Sequence, residues 1–319
     1  MTAFRSPAVL SPIAEDVLLG LSATPKSLPP KLFYDAAGST FFEEITRTPE
    51  YYPTRTERAI FERYSAEITR AAGENLALVE LGAGSASKTR VLISAILRRQ
   101  LRLEFHPVDV SPAALEAAVE SLNGSFPHLY VSPIVADYTR HLPRLHSLPG
   151  CKLVLFIGST IGNFEPQEAL AFLIGVRQSL GSGDALLLGF DMVKDPAVLQ
   201  AAYNDAAGVT ARFNLNMLAR INRELRGDFD LCRFEHIAFW NPGKSRIEMH
   251  LESLADQTVY VRDLGRTFRF DTRERIHTEN SYKFTKHSIK ALFRDAGLTL
   301  EATWQDPQGW FSLALARVK

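Results

Sequence analysis

The middle of the chain is built from short runs that are mainly apolar. Five of them lie at 76–82, 103–110, 129–138, 152–159 and 184–193. Apolar runs of this length, without alternation, are typical of strands that are covered on both faces. Between the runs, apolar residues recur at helical spacing, as in residues 85–99 and 166–180. This alternation of strand and helix predicts a Rossmann-like, doubly wound parallel sheet of the α/β class.

The regions outside this block have different patterns. Residues 24–34 are rich in proline and end in aromatic side chains, which indicates an extended arm packed on the body. Residues 40–70 have a mainly helical pattern with a break at EYYPTRTE. Residues 196–228 are also helical in pattern, whereas three segments within 246–285 alternate like antiparallel strands.

These patterns predict two domains. We expect an α/β domain formed by residues 56–195 plus 286–319, in which the last segment supplies a helix and two strands that close the sheet. We expect a second, smaller α+β lobe formed by residues 1–55 plus 196–285.

Composition argues against several classes of protein. Among the 319 residues, 36 basic side chains balance 36 acidic ones, so no basic field indicates nucleic acid or an anionic membrane as a partner. No apolar stretch reaches the roughly 18 residues of a membrane span, and no signal peptide is evident. The two cysteines and eight histidines show no metal-binding spacing. We therefore expect a cytoplasmic protein with no metal, and a monomer as the default.

The sequence VELGAGSASKTR at 79–90 places two glycines directly after the first apolar run. Gly82 and Gly84 let the backbone approach a ligand closely, at a helix N-terminus that favours negative charge or hydrogen-bond acceptors. A dinucleotide fingerprint and a P-loop would each need glycine at position 87, where this chain has Ser87. The remaining option is the E-L-G-x-G turn of S-adenosylmethionine-dependent methyltransferases.

Two further positions fit a methyltransferase. Asp109 ends the second run, where a carboxylate would accept the hydroxyls of the cofactor ribose. Asp137 and Tyr138 end the third run, where a carboxylate and a ring would recognise adenine. Each feature alone is also compatible with an ordinary turn glycine or strand-end aspartate. Their order on three successive strands favours the methyltransferase interpretation.

At this point the sequence resembles one family in particular, the L-histidine Nα-methyltransferases of ergothioneine biosynthesis (the EgtD family). The resemblance covers nearly the whole chain and rests on long motifs: PKSLPPKLFYD, EYYPTRTE, VELGAGSASKTR, FIGSTIGNF, LLLGFDMVKD, YNDAAGVTARFN, FDLCRFEHIAFWN, IEMHL and TENSYKF. It implies a class I methyltransferase that converts L-histidine into hercynine (trimethylhistidine) by three methyl transfers. The implied methyl donor is S-adenosyl-L-methionine, with S-adenosyl-L-homocysteine as the product.

The resemblance also implies which residues bind ligands. The implied cofactor residues are Tyr34, Gly82, Lys88, Asp109, Asp137 and Tyr138. The implied substrate residues are Phe42, Tyr51, Gly158, Asn163, Tyr203, Met249, Glu279 and Ser281, with Asn163, Tyr51 and Tyr34 as catalytic residues. Tyr138 departs from the phenylalanine that the family often has, but it retains the ring.

Methyl transfer to an amine needs a neutral nitrogen whose lone pair faces the methyl group. The amide oxygen of Asn163 can accept from the amine and leave that lone pair available, although Asn163 is also placed to cap the helix near Pro166. Glu279 and Ser281 share one face of a strand if TENSY is extended, so both can contact one imidazole.

Other roles follow from the implied substrate and product. Tyr51 and Tyr203 would fix the substrate carboxylate, and Met249 would pack beside the imidazole ring, although a methionine in a strand is ordinarily core. Aromatic faces such as those of Phe42, Tyr51 and Tyr34 attract the quaternary ammonium of the product. The residues leave the general base unassigned.

Three alternatives remain open at the level of sequence. The first is the same chemistry on another amino acid, such as tryptophan, although an indole offers no second nitrogen for a Glu–Ser pair. The second is a nicotinamide dehydrogenase, which the missing third glycine disfavours. The third is a non-catalytic protein that binds S-adenosylmethionine.

Overall fold

A computed structural model of the chain describes residues 10–84, 86–139, 145, 148 and 150–318. The chain forms two compact units. The sheet unit comprises Tyr52–Pro196, Pro242–Arg246 and Asn280–Lys319, and the insert unit comprises Met1–Tyr51, Ala197–Asn241 and Ile247–Glu279. Residues 1–9 of the predicted smaller lobe, Ser85 of the glycine turn and most of 140–149 lie outside the described residues.

Helices and strands alternate through much of the chain. The α-helices among the described residues are α1 (Pro12–Ser22), α2 (Ala36–Ile45), α3 (Tyr52–Ala72), α4 (Thr89–Leu97), α5 (Pro112–Asn123), α6 (Pro166–Ser179), α7 (Pro196–Ala202), α8 (Val209–Leu225) and α9 (Lys286–Asp295). The strands are β1 (Lys26–Ser27), β2 (Leu76–Leu81), β3 (Leu103–Asp109), β4 (Leu129–Val131), β5 (Ile134–Val135), β6 (Cys151–Phe156), β7 (Ala185–Asp191), β8 (Phe234–Asn241), β9 (Arg246–Ser253), β10 (Gln257–Val261), β11 (Arg266–Phe270), β12 (Arg275–Tyr282), β13 (Leu298–Gln305) and β14 (Phe311–Val318).

The large sheet of the sheet unit has the strand order β13-β14-β7-β6-β2-β3-β4, and β5 also pairs with β3. The strands pair in parallel, except that β14 is antiparallel to both β7 and β13. The strand order reverses between β2 and β6, which lie side by side. Ligands of doubly wound sheets bind at the carboxyl ends of the strands at such a reversal. The predicted fold class is confirmed. The loops after β2 and β6 are therefore the expected position of a ligand site.

Helices cover both faces of this sheet. Alternate residues of β2 point to opposite sides, so Leu78 belongs to an apolar cluster with residues of α3 and α4, and Val79 to a second cluster with residues of α6 and α9. Every residue of β2 is buried. Complete burial of a leucine such as Leu78 contributes roughly 1.5–3 kcal/mol, which explains why these strands read as continuous apolar runs.

The insert unit contains two smaller sheets and the long helix α8. Its four-stranded sheet has the order β1-β12-β9-β8, and β10 and β11 form a separate antiparallel pair. Phe213, Met217 and Ile221 are buried at intervals of four residues along α8. This apolar stripe packs α8 within the unit, where it contacts α2.

Three details differ from the sequence-based expectations. The run at 129–138 is not one strand, because β4 and β5 are separated by Ser132 and Pro133, and proline cannot donate to a strand ladder. The helix predicted at 85–99 begins only at Thr89. The helical pattern at 196–228 is interrupted where the Asp205 carboxylate accepts two backbone N–H groups at the start of α8, both at 2.8 Å. No α-helix in the described part of the chain is long and apolar enough to cross a membrane.

Candidate active site

The loop after β2 has the backbone geometry that its glycines predict. Gly82 and Gly84 have φ values of 75° and 50°. The N–H of Gly82 donates to the carbonyl of Val108 at 2.8 Å, and that of Gly84 donates to Asp109 Oδ2 at 3.0 Å. A Cβ on Gly84 would meet no heavy atom of the described residues within 4 Å. The loop is therefore fixed to the end of β3, with open space above Gly84 that a ligand can approach.

A buried carboxylate on α3 joins the loops after β2 and β6. Glu57 is 0% exposed, its Oε1 accepts the N–H of Gly158 at 2.8 Å, and its Oε2 accepts from the ammonium of Lys88. The Lys88 Nζ lies 3.3 Å from where a Cβ on Gly158 would be. A Cβ on Gly189 of β7 would lie 2.2 Å from Glu57 Oε1, so the strand needs a glycine there. Lys88 of the cofactor group and Gly158 of the substrate group thus bind the same carboxylate, that of Glu57.

Glu80 adds a second buried acid at the end of β2. Its Oε2 accepts the hydroxyl hydrogen of Thr89 at 2.7 Å. Burial raises the pKa of Glu80 to about 8, although the Thr89 hydrogen bond and the charge of Lys88 act to lower it. The carboxyl groups of Glu80, Glu57 and Asp109 influence one another electrostatically, because the charges of Glu57 and Asp109 add to the rise. At neutral pH Glu80 is therefore uncharged, and the charge of Glu57 is balanced by that of Lys88.

Asp137 and Tyr138 follow β5 at the same edge of the sheet. Asp137 Oδ1 accepts a backbone N–H two residues further on at 3.0 Å. The ring of Tyr138 packs edge-on against Phe156 and Phe172, with centroid distances of 5.7 and 6.1 Å. Its hydroxyl oxygen lies 3.1 Å from where a Cβ on Gly82 would be. Burial raises the pKa of Tyr138, so this hydroxyl stays protonated beside the glycine loop.

The loop after β6 contains Gly158 and Asn163. Gly158 and Ser159 both have left-handed backbone geometry, with φ values of 77° and 60°. Asn163 ends a short 3₁₀ turn and is partly exposed. The alternative role of Asn163 as a helix cap is wrong, because Glu165 occupies the N-cap position of α6.

Four of the predicted residues form a continuous chain of aromatic rings within the insert unit. Tyr34 contacts Phe42 edge-on at a centroid distance of 5.8 Å, Phe42 contacts Tyr51 at 6.2 Å, and Tyr51 contacts Tyr203 at 6.2 Å. The backbone carbonyl of Tyr203 lies 2.9 Å from Nε2 of His236. Tyr34, which the resemblance assigns to the cofactor group, therefore lies with residues of the substrate group, and the other cofactor residues lie in the sheet unit.

The remaining predicted residues lie on two neighbouring strands. Met249 lies on β9 and is 1% exposed, which is also what a core residue would show. Glu279 and Ser281 lie two residues apart on β12, so TENSY is extended as predicted. Ser281 is buried, and its Oγ accepts from Nζ of Lys283 at 2.7 Å.

A buried polar cluster surrounds Asp191 at the end of β7. The hydroxyl of Tyr52 donates to Asp191 Oδ2 at 2.5 Å, and the ammonium groups of Lys194 and Lys283 lie 2.5 and 3.0 Å from the two carboxylate oxygens. Burial lowers the pKa of Lys194 to about 8, although the charge of Asp191 acts to raise it. The N–H of Asp191 donates to Ser159 Oγ at 3.0 Å, which ties this cluster to the loop after β6.

Sequence reasoning missed Glu57 and the residues around Asp191. Gly189, which lies inside the apolar run LLLGFD, was a usable signal for the close approach of another group, because glycine weakens a strand that packs by its side chains. Lys283 follows TENSY directly and has the same strand parity as Ser281. Among the described residues, no group of three or more metal-binding side chains is found.

The glycine loop fits S-adenosylmethionine in two respects. The space above Gly84 admits a ligand, and Asp109 supplies acceptor oxygens beside it. The sheet unit brings Gly82, Lys88, Asp109, Tyr138 and Gly158 to the carboxyl ends of its strands, at the reversal of the strand order.

Comparisons with known proteins agree with this geometry. The model of a family described as histidine-specific, SAM-dependent methyltransferases matches residues 13–318. A histidine N-alpha-methyltransferase of Mycolicibacterium smegmatis is 47% identical over 95% of this chain and 94% of that protein, and one of Mycobacterium tuberculosis is 44% identical over the same shares. Ergothioneine biosynthesis protein 1 of Neurospora crassa is 29% identical over 88% of this chain and 32% of its own length.

Proposed function

The chain belongs to the family of histidine-specific, S-adenosylmethionine-dependent methyltransferases, and on that premise we propose that it methylates the α-amino group of L-histidine three times, giving hercynine for ergothioneine biosynthesis. It is an enzyme, and its methyl donor is S-adenosylmethionine. The observation that carries the proposal is the match to this family over residues 13–318, which includes the glycine loop and the TENSY strand.

The bound cofactor supplies an electrophilic methyl group on a sulfonium. In our proposal Tyr34, Gly82, Lys88, Asp109, Asp137 and Tyr138 hold it. The open space above Gly84 and the acceptor oxygens of Asp109 support this assignment.

The substrate residues of the proposal align the amine for in-line displacement. In the first two transfers Asn163 accepts an N–H of the neutral α-amino group and leaves the lone pair directed at the methyl group, while Tyr51 and Tyr203 bind the carboxylate. The neutral dimethylated amine has no N–H, so this hydrogen bond is absent in the third transfer. Alignment of two reacting groups contributes as much as roughly 7–11 kcal/mol. The partly exposed Asn163, which is not the cap residue of α6, supports its role.

The specificity residues of the proposal recognise the imidazole. Glu279 accepts from one ring nitrogen, Ser281 bonds to the other, and Met249 packs beside the ring. Their positions on the adjacent strands β9 and β12 support this assignment. Gly158 completes the site through its backbone.

The proposal also explains the chain of aromatic rings. The third transfer produces a quaternary ammonium, which carries a charge but has no N–H left to donate. Ring faces attract such cations without needing a hydrogen bond. Tyr34, Phe42 and Tyr51, with their ring contacts of 5.8 and 6.2 Å, are the residues that we assign to this role.

We further propose that residues 56–195 plus 286–319 form the catalytic domain and that residues 1–55 plus 196–285 form the substrate-binding lobe. The glycine loop, which lies in the first of these segments, supports the division. We propose a monomer that acts in the cytoplasm on L-histidine, without nucleic acid or membrane as a partner. The balance of 36 basic and 36 acidic side chains supports this view.

Mass spectrometry tests the proposed function directly. The purified protein is incubated with S-adenosylmethionine and a mixture of amino acids, and each amino acid is followed for added methyl groups. We expect histidine to gain three methyl groups while the others are unchanged. Methylation of tryptophan or another amino acid would refute the histidine assignment but not the assignment as a methyltransferase. If the protein neither methylates an amino acid nor binds the cofactor, both assignments are refuted.

A further inference from the structure

Lys283 is the partner of Ser281 that the resemblance does not name. Its Nζ donates to Ser281 Oγ at 2.7 Å, and it lies 3.0 Å from Asp191 Oδ2. The side chain of Lys283 is 0% exposed, as is that of Asp191. A lysine that is buried this completely needs specific partners, because desolvation of an ammonium is costly.

The cluster around Asp191 holds Lys283 in a fixed place. Asp191 is also bound by the hydroxyl of Tyr52 at 2.5 Å and by the ammonium of Lys194. The N–H of Asp191 donates to Ser159 in the loop that carries Gly158 and Asn163. A carboxylate anchored at several points leaves Lys283 little freedom, and it ties the Ser281–Lys283 pair to the loop after β6.

A second contact brings the same loop against β12. A Cβ on Gly162 would lie 2.8 Å from the backbone carbonyl oxygen of Tyr282, the residue between Ser281 and Lys283. The 3₁₀ turn that ends at Asn163 therefore packs closely on the strand that carries Ser281. Both contacts lie within the sheet unit.

The hydrogen-bond roles of the pair are set by the chemistry of an ammonium. An ammonium group has hydrogens to donate and no lone pair, so the serine oxygen in this bond is the acceptor. The hydroxyl hydrogen of Ser281 is then directed to a second partner. We propose that Lys283 is a positioning residue that makes Ser281 a hydrogen-bond donor to an unprotonated ring nitrogen of the substrate; this inference rests on the proposed function.

The proposal implies a preference for neutral imidazole. Glu279 accepts from the ring N–H, and Ser281 donates to the other ring nitrogen, which must carry a lone pair. A protonated imidazole, an indole and a thiophene all lack that nitrogen acceptor. Sites that are built to hydrogen-bond a substrate group reject analogues without it, because the group of the protein is then left without its partner.

The test compares two amino acids of similar size. L-histidine has the ring acceptor, and 3-(2-thienyl)-L-alanine has a five-membered ring without nitrogen. For each protein the ratio of kcat/KM for histidine to kcat/KM for thienylalanine is measured. We expect Lys283→Met to lower this ratio about tenfold, through a higher KM for histidine, with kcat/KM for thienylalanine unchanged. The matched control is Lys290→Met, an exposed lysine on α9, which should leave the ratio as it is.

A double-mutant cycle separates positioning from general damage. Ser281→Ala should lower the ratio about as much as Lys283→Met, and adding Lys283→Met to Ser281→Ala should have no further effect, since the lysine acts through the serine. Equal losses of kcat/KM for both amino acids in Lys283→Met would show a merely structural role and overturn the proposal. So would an unchanged ratio.

Two further outcomes are distinguishable. Lys283→Met leaves Asp191 with Tyr52 and Lys194, so we expect this variant to fold. If it does not fold, Lys283→Gln replaces it, because the glutamine amide both donates and accepts. Lys283→Gln should lower the ratio about threefold, and an unchanged ratio would overturn the proposal. If the wild-type protein does not methylate histidine, the proposed function falls and this inference falls with it. If it does and the ratio is insensitive to Lys283, only this inference is wrong.

Discussion

Replacement of Glu57 by glutamine is expected to weaken both the fold and the cofactor site. The carboxylate has two partners, the N–H of Gly158 at 2.8 Å and the ammonium of Lys88. The glutamine amide oxygen retains the first bond. The amide NH₂ then faces Lys88, and two donors meet where a charged pair was.

The magnitude follows from the burial of the pair. A hydrogen bond to a charged group contributes about 1.5–3 kcal/mol, and loss of a partner from a buried charge costs more than the bond itself. The Lys88 side chain is 21% exposed, so water replaces part of the loss, and we expect about 2 kcal/mol. For a domain of this size, that corresponds to a fall in Tm on the order of 5 °C.

Calorimetry supplies both assays. Differential scanning calorimetry gives the Tm, and titration with S-adenosylmethionine gives the Kd, which we expect to rise about tenfold because Lys88 is no longer held in place. Glu62→Gln is the matched control, since Glu62 lies on the same helix with its side chain 54% exposed and pairs with the exposed Arg58. Such surface pairs contribute little to stability. A Glu57→Gln variant with the Tm and the Kd of the wild type would refute this reasoning.

Three further predictions concern Gly189, Glu80 and the aromatic rings. Gly189→Ala places a Cβ 2.2 Å from Glu57 Oε1, so the Tm and the cofactor affinity should fall together in calorimetry; a fall in Tm alone would contradict this coupling. Burial raises the pKa of Glu80 from 4.5 to about 8, so the native protein retains a proton that the unfolded chain loses, and the free energy of unfolding should decrease as pH rises through that window. Urea denaturation of Glu80→Gln across the same window should show a weaker pH dependence, and an unchanged one would count against the buried acid. Phe42→Ala and Tyr51→Ala should slow methylation and accumulate mono- or dimethylhistidine in mass spectra; full rates with no intermediate would exclude a role for these rings in stabilising the cation.

The elements that the sequence predicted well are those with a local physical cause. β2 is recognisable because both of its faces are covered, so the strand is apolar except for the buried Glu80 near its end. The turn at Gly82 and Gly84 is recognisable because positive φ is costly for other residues. The cap of α5 also depends on adjacent residues alone, because the Ser111 hydroxyl accepts the N–H of Ala114 and Pro112 begins the helix.

The elements that the sequence did not predict depend on partners distant in the chain. Glu57 lies among arginines on α3, and a helical pattern does not say that this one acid turns inward against Gly189 on β7. Lys283 and Asp191 are likewise separated by a long stretch of chain, and only the folded sheet brings them within 3.0 Å. The break between β4 and β5 is a different case, because its cause, the missing N–H of Pro133, is local and visible in the sequence.

The position of β14 has a consequence for the order in which the molecule is completed during synthesis. β14 lies between β7 and β13, and the segments 197–241 and 247–279 of the insert unit are translated after β7 but before β13 and β14. Until then β7, with the sequence ALLLGFD, has one edge without a partner, and such an apolar edge recruits other strands. A ribosome that stalls within the insert unit therefore leaves a nascent chain that depends on chaperones, even though its glycine loop has already been made.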